Sequence, residues 1–574
     1  MKNIAITICA VLSAMLMSSS SCSPSDMPET SAPVPPALPE NGEKPAEEHA
    51  DGATISGQVT TDNGTPVAGV AVSDGTVVTL TDEEGKYRLV SDKSNEIVFI
   101  SLPGDYTAMT ENNIPVISHT TVMPSDRHEI HDFVLRHADN SRYTVILQAD
   151  QHLAARNEDL MQLNSGIIPD MNNFISLERD SGREVYSISL GDSGWEQFWV
   201  ANSFGLKDAV ECLGAIDCPT FHTIGNHDNN PYIPDDWGSS EIFRKNVAPS
   251  YYSFNIGKVH FVILDNIVYN NPGATSSTMG ERTYDRALTD KQLAWLREDL
   301  AAVSDKSAPL VICGHVPFYA DPRLSGQTAT TERNMLNTED LEEIIRPFSN
   351  VTLFSGHYHR NYTVASPYLD GVTEHNVASL SGSLWWTAKS GYSKNHICTD
   401  GSPGGYGILR VDNGKLNYSY KGAGFDESYQ FRVYDLNSVR IDEDNVSGKT
   451  KYKDLVRDYA DVYYYGSRSN EILVNVFSWQ PEWNITIEEE DVILPVNRVR
   501  TKDPLHILSY ECQRLSHNAV PSQTSTLLTQ YSSHFFKARA SGPDTKITVT
   551  VTDNSGRVFS ETIERPKAFS ISTE

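Results

Sequence analysis

The sequence predicts a multidomain α/β chain, with a centre of alternating strands and helices flanked by an N-terminal β-sandwich and a C-terminal β-rich domain. Three observations carry this. Across residues 54–137, short alternating apolar runs are separated by Asp-Asn-Gly, Ser-Asp-Gly and Glu-Glu-Gly turns, the texture of a small all-β module. Across 142–424, five apolar runs each deliver an Asp, Asn or His just past their ends, with helix-forming stretches between them, as strands of an α/β sheet do. From 425 onward the runs are again strand-like. With 574 residues and 39% hydrophobic content, the chain is long and apolar enough to bury several cores.

In chain order, residues 1–21 read as a secretory leader: Lys2, an apolar run over 4–17, then Ser18 to Ser21. The run is shorter than the roughly 20 residues of a membrane-spanning helix. Ser19-Ser20-Ser21-Cys22 resembles a lipoprotein box, which makes Cys22 the expected lipidated first residue of an exported, membrane-anchored chain facing the periplasm or the exterior. The rest of 22–50 is rich in Pro, Glu, Ser and Ala and reads as a flexible spacer. Residues 51–137 form the predicted β-sandwich, with strands expected at 55–59, 67–72, 77–80, 87–89 and 96–100. Its Gly-x-Val and Asp-Glu-Glu-Gly-Lys-Tyr pattern resembles carboxypeptidase-regulatory-like modules, which implies a spacer or docking role. Residues 138–425 are the α/β centre, and 426–574 the β-rich domain, with strands expected at 471–477, 485–487 and 546–552.

Charge narrows the partners. Lys plus Arg number 46 against 75 for Asp plus Glu, a net charge of −29 that repels polyanions and argues against binding a nucleic-acid polymer. Once the leader is removed and Cys22 acylated, five cysteines remain without CxxC spacing, so neither a disulfide framework nor a thiolate zinc site is expected.

The strand ends carry the chemistry. The run 143–147 leads to Asp150 and His152, 185–190 to Asp192, and 221–224 through Gly225 to Asn226, His227 and Asp228; 309–313 leads to His315, and 351–354 to His357 and His359. Singly, each is an ordinary turn or loop residue. Together, Asp150, His152, Asp192, Asn226, His315, His357 and His359 offer carboxylate and amide oxygens and imidazole nitrogens, a set suited to two adjacent divalent or trivalent metals. Gly225 is expected to make a sharp turn, His227 to carry a proton near neutral pH, and Asp228 to orient a neighbour. Thr289 and Gln292 form a capping-box pattern ahead of Leu293, Leu296 and Leu300, the apolar stripe of a helix facing a sheet.

The order Asp-x-His, Gly-Asp, Gly-Asn-His-Asp, Gly-His, Gly-His-x-His resembles the calcineurin-like metallophosphoesterase superfamily. The resemblance implies a central α-β-β-α sandwich and a phosphoric ester hydrolase with two metal ions, Mn, Fe or Zn. Its implied reaction is in-line attack by a hydroxide bridging the metals on a small phosphomonoester or phosphodiester. It assigns Asp150, His152, Asp192 and His359 to one metal, and Asp192, Asn226, His315 and His357 to the other, with Asp192 bridging. His227 becomes the histidine beside the scissile phosphate. Three positions after Asp192 stands Trp195, where purple acid phosphatases carry a ligating tyrosine and protein Ser/Thr phosphatases an aspartate supporting the catalytic histidine. Neither subgroup is therefore implied, and Glu196 or Asp228 is left to orient His227. Segments 191–199, 251–260, 374–376, 382–386 and 400–406 resemble a bacterial secreted subgroup with a β-sandwich before the core and a β-rich domain after it. Trp385, Trp386 and Tyr406 are candidate cleft walls, with core packing as the competing reading, and Arg156 and His375 are candidate phosphate contacts. The expected partners are a small phosphorylated substrate and, through the lipid anchor alone, a membrane. A non-catalytic surface lipoprotein, binding a glycan or partner around a structural metal, is the alternative; the completeness of the donor set counts against it.

Overall fold

The computed structural model describes residues 52–571; the leader, Cys22 and the expected spacer lie outside them. Two sheets face each other in the centre. The first runs in the order Thr220–His222, Glu184–Ser189, Arg142–Gln148, Gly405–Asp412, Lys415–Gly422, its first three strands mutually parallel. The second runs Tyr252–Ile256, Val259–Ile263, Leu310–Cys313, Val351–Ser355, Val372–Asn376, Tyr362–Ala365, with the four inner strands parallel.

Side-chain alternation explains the layering. Tyr143, Val145 and Leu147 enter the core shared by the two sheets, while Ile146 between them packs with Met171, Phe174 and Ile175 of the helix Ile168–Asp180. Phe221 of the first sheet stacks on Phe254 of the second with ring centroids 3.7 Å apart, and Phe254 lies 5.1 Å from Phe261. Leu293, Leu296 and Leu300 of the helix Asp290–Ala302 join the same core with Leu341 and Ile345 of Thr338–Ile345. The Thr289 hydroxyl accepts from the Gln292 N–H at 3.2 Å, but the capping box expected is only half formed, because the Gln292 side chain bonds the Asp265 backbone instead. The result is the α-β-β-α centre.

The N-terminal domain sets Glu129–Ile130, Ile55–Thr61, Phe133–His137 and Tyr106–Ala108, with Lys86–Leu89 alongside, against Val78–Leu80, Ala71–Ser73, Ile97–Ser101 and Ser118–Thr120. The run 67–72 yields a strand only at Ala71–Ser73: Gly69 at φ +74° turns the chain, and Val67 and Val70 are buried outside any strand. This domain shares the central core. Phe99 meets Trp295 edge-on at 6.2 Å, and the Asn255 N–H donates to the Leu102 carbonyl at 2.7 Å.

The C-terminal domain pairs Phe431–Asp435, Glu471–Val476, Ser532–Arg539 and Asn497–Thr501 in one sheet, and Val492–Ile493, Asn484–Glu489, Ile547–Thr552 and Val558–Ile563 in another. Phe431, Val433, Ile472 and Val474 pack with Ile487, Ile547 and Val549 between them. Two short helices that strand-like texture does not foretell, Pro504–Ser509 and Glu511–Ser516, cover the first sheet's other face through Leu505, Ile507 and Leu515. Its seam with the centre is polar: Arg432 donates to the Gly401 carbonyl at 2.8 Å, Asn475 to the Asp400 carbonyl at 3.0 Å, and His534 Nε2 lies 3.2 Å from Asp400 Oδ2.

Candidate metal centre

The five strand ends converge, and seven donor side chains meet in two groups around Asp192. In the first, His152 Nε2 lies 3.8 Å from Asp150 Oδ1 and 3.4 Å from Asp192 Oδ2, and His359 Nε2 lies 3.6 Å from Asp150 Oδ1. In the second, His315 Nε2 lies 3.1 Å from Asp192 Oδ2, 3.2 Å from Asn226 Oδ1 and 3.2 Å from His357 Nδ1. His315 Nδ1 donates to the Leu190 carbonyl at 2.8 Å, which fixes the ring so that Nε2 faces the oxygens.

Backbone conformation aims these side chains. Asp150, His152, Asp192, His357 and His359 all sit at positive φ, between 46° and 68°. Each costs on the order of 1–3 kcal/mol relative to relaxed backbone, so the surrounding loops must hold them there. Asp228 is the main clamp: its carboxylate accepts from the N–H groups of Asp192 (2.8 Å), Gly194 (3.1 Å) and Gly225 (2.9 Å). Gly225 opens the expected turn, its carbonyl accepting from the Asp228 N–H at 3.1 Å, but not through a left-handed backbone. Its backbone is extended, at φ −108°, and glycine is required there because a β-carbon would lie 2.2 Å from Asp192 Oδ1.

Both nitrogens of His152 and Nδ1 of His359 are buried without a hydrogen-bond partner, an expensive state for polar atoms unless a ligand completes them. Burial drives His152 and His357 well below the usual histidine range and His359 down to about 3, so these imidazoles keep free lone pairs. Burial opposes charge on Asp192, yet His315, His227 and His152 hold it well below the usual carboxylate range. Against burial, Asp192 raises His315 to about 9, and burial raises Asp150 to about 8. With those two protons given up to bound cations, the imidazoles, carboxylates and amide oxygen aimed at common points fit a pair of metal ions. Asp150, His152, Asp192 and His359 would hold one, and Asp192, Asn226, His315 and His357 the other.

His227 stands beside them. Its Nδ1 meets Glu196 Oε2, and its backbone N–H donates to Asp192 Oδ1 at 2.8 Å. Burial disfavours the charged ring, but Glu196 and Asp192 outweigh it and push His227 up to about 9. Of the two candidates for orienting His227, the contact is made by Glu196, itself held by Arg282 Nη1 at 2.9 Å. Above the cluster opens a cleft of about 570 Å³ whose walls include Arg282, Tyr284, Arg286, Tyr358 and Arg360, with Thr526 and Gln530 arriving from the C-terminal domain. Sequence reading missed these residues. Tyr358 is the variable position inside the Gly-His-x-His motif and Arg360 directly follows it; the others lie apart from any motif.

The other expected substrate contacts divide. Arg156 is not among the residues lining the cleft: its guanidinium lies 4.9 Å from the Trp195 ring, which in turn packs 5.1 Å from His152. His375 is in the core instead: strand alternation turns it inward onto Phe354 (5.4 Å) and Tyr418 (4.2 Å), and its Nδ1 meets the Thr363 hydroxyl at 2.9 Å. Trp385 is also buried, donating from Nε1 to the Gln151 carbonyl at 2.8 Å and so buttressing the Asp150–His152 loop from behind. Tyr406 is buried on the helix side, its hydroxyl donating to Asp170 at 3.0 Å. Trp386 is half-buried under Arg514, 4.0 Å away, and does not line the cleft.

Models of the N-terminal, catalytic and C-terminal parts of calcineurin-like phosphoesterases match residues 53–138, 143–361 and 374–559. Purple acid phosphatase 23 of Arabidopsis thaliana is 31% identical over 151 residues, covering 25% of this chain and 28% of that protein. Serine/threonine-protein phosphatase CPPED1 of Homo sapiens is 25% identical over 181 residues, covering 31% and 53%. The chain thus spans about half or less of the length of these curated relatives. Among solved structures, purple acid phosphatase PPD1 from yellow lupin (Lupinus luteus) seeds aligns at 13% identity over 62% of this chain and 67% of that one, with a TM-score of 0.32. Matched by all three parts of one family, in order, from residue 53 to residue 559, the chain belongs to the calcineurin-like phosphoesterases.

Proposed function

We propose that the chain is an exported, dinuclear metal-dependent phosphoesterase that hydrolyses a small phosphomonoester or phosphodiester. The observation that carries this is the convergence of seven oxygen and nitrogen donors on two adjacent points, beside a histidine whose outer nitrogen is occupied by a buried carboxylate. Two cations bound there supply the Lewis acidity that ionises water near neutral pH and neutralises charge building on the phosphoryl oxygens.

The chain's own residues supply the rest. Asp192 has two tasks: Oδ2 faces His152 and His315 across both groups, while Oδ1 accepts the His227 N–H and so ties the donor cluster to the acid. Glu196 accepts the Nδ1 proton of His227, leaving Nε2–H to face the substrate and give its proton to the departing alkoxide. The cleft walls exclude bulk water on one side and stay open on the other, which suits a small ester. Cys22 anchors the chain to a membrane in this reading, and Cys22→Ser should move it from the membrane fraction to the soluble one.

Metal analysis combined with turnover of p-nitrophenyl phosphate and bis-p-nitrophenyl phosphate in added Mn tests the proposal. Bound metal and release of nitrophenol from either ester support it. No bound metal together with no turnover would overturn it, and the relative rates separate monoesterase from diesterase.

A further inference from the structure

Three arginines line the cleft of a chain whose net charge is −29, and they are not equivalent. Arg282 is engaged by Glu196, as described. Arg286 has no carboxylate partner among the described residues: its Nη1 donates to Asn334 Oδ1 at 3.1 Å and to the Tyr358 hydroxyl at 3.0 Å, and it also bonds the Tyr284 hydroxyl. Arg360 pairs through one terminal nitrogen with Asp321 at 3.2 Å, while its Nε is buried without a partner. Both guanidinium groups flank one ring, that of Tyr358, at 5.8 and 4.9 Å. Tyr284 links this cluster to the donor set, its hydroxyl 3.2 Å from His357 Nε2.

A scissile phosphate drawn to the donor cluster and His227 leaves Arg286 without a counter-ion and Arg360 with Asp321 alone, on a wall that Thr526 and Gln530 also line. Resting on the phosphoesterase reading, we infer that Arg286 and Arg360, with Tyr358 between them, bind a second anionic group of the substrate. The preferred substrate is then a small phosphate ester carrying a further phosphate or carboxylate. Planar guanidinium forks recognise either group through paired N–H donors. With Glu196 engaged by Arg282 and Asp192 among the metal donors, Glu281 is the remaining carboxylate of the cleft lining that a second anion would meet.

The Mn-loaded enzyme is assayed on glycerol phosphate, glycerol bisphosphate and phosphoglycerate, with p-nitrophenyl phosphate as the reference ester. The expected result is a kcat/KM at least about tenfold higher for one or both doubly anionic esters than for glycerol phosphate, a gap of one charge-assisted contact. The bisphosphate and phosphoglycerate arms tell a second phosphate from a carboxylate. In Arg286→Gln the ratio should collapse towards one. Arg286→Lys should restore part of it, which a merely structural role would not do. Because Arg286 holds no ion pair, this variant is expected to fold, and metal content with Tm checks that. A wild-type ratio near one, or a ratio untouched by Arg286→Gln, overturns the inference while p-nitrophenyl phosphate is still turned over. Absence of turnover on every ester overturns the phosphoesterase reading and this inference together.

Discussion

The two flanking β domains are attached to the centre with different balances of apolar and polar contact. The N-terminal domain shares one apolar core with the centre, with Phe99 against Trp295 and Leu102 beside Phe254, and adds polar ties such as Asn113 donating to the Gly214 and Ile216 carbonyls at 2.9 and 2.7 Å. The C-terminal domain joins chiefly through buried polar groups: Asp400 of the centre faces His534, Arg432 donates to the Gly401 carbonyl, and the Gln530 N–H donates to the Thr399 carbonyl at 2.9 Å, with Ile397 and Phe477 adding apolar contact. Apolar burial is strong but undirected, whereas hydrogen bonds between buried polar groups fix direction and register. The difference follows the distance to the chemistry. None of the N-terminal domain lines the cleft, while Thr526 and Gln530 do, and a side chain that must sit over a substrate needs the directed kind of attachment.

The centre sets the scale for testing this contrast. His227→Ala should slow turnover by about two to four orders of magnitude while leaving metal content unchanged, because the ring acts on the substrate and is not among the seven donors. A change in either flanking domain that matched this loss with the fold intact would end the distinction between core and flank. Phe99→Ala should destabilise the protein by about 3–4 kcal/mol, the cost of an aromatic-sized void, and leave kcat of the folded enzyme unaltered. Thermal melts and kcat on the same preparation check both halves. Asp400→Ala strands the Asn361 N–H and the ring facing it, at about 2–3 kcal/mol. Unlike Phe99→Ala, it should also raise KM, because the seam that carries residues 526–530 loosens. A KM unchanged in Asp400→Ala, or raised in Phe99→Ala, would break the comparison.

How much of this was legible beforehand depends on what each residue must do. The donor set was readable because metal coordination restricts residue type, and each strand end packs its donors within a few positions, as at Asp150 with His152 and His357 with His359. The layer order was readable because Tyr143 to Leu147 and Leu293 to Leu300 keep distinct periods. The cleft walls were not. Arg282 and Arg286 lie in the strand Thr283–Arg286 or at its edge, where alternating polar residues look like any solvated hairpin, and nothing local says that a cleft lies above it. His375, Trp385 and Tyr406 sit near motifs in sequence but on the wrong side of their strands or loops, because facing is set by register with distant partners such as Phe354, Gln151 and Asp170. The left-handed backbone at five donors was not legible: Asp and His are enriched in that region, but far less than glycine, so their presence alone does not announce it.

The smallest effect sharpens the contrast through the sign of its pH dependence. In the C-terminal domain burial raises Glu511 from the usual glutamate range to about 7, with the Thr529 N–H (2.6 Å) and hydroxyl only partly opposing it. The folded state therefore holds this proton more tightly than the unfolded chain. Its stabilising contribution is complete below the unfolded pKa and is lost as pH rises through about 7. In the N-terminal domain burial also opposes the charge on Glu129, but Lys93 at 2.8 Å and the N–H groups of Met123 and Val122 prevail and lower it. That contribution is present above the unfolded pKa and is lost as pH falls through the folded one. Burial holds the neighbouring His506, 3.8 Å away from Glu511, down to about 3, a contribution that grows as pH rises to the unfolded histidine range and offsets Glu511 there. Between about pH 6.5 and about pH 8 the C-terminal domain should therefore lose stability while the N-terminal domain does not. Glu511→Gln should flatten the decline of Tm across that window by keeping a neutral hydrogen-bonding group in place, and leave the acid limb below about pH 4.5 as it was. A Tm that declines as steeply in Glu511→Gln as in the wild type would assign the alkaline limb elsewhere, with Glu374, also buried and raised to about 7 beside the donor loops, as the next residue to replace.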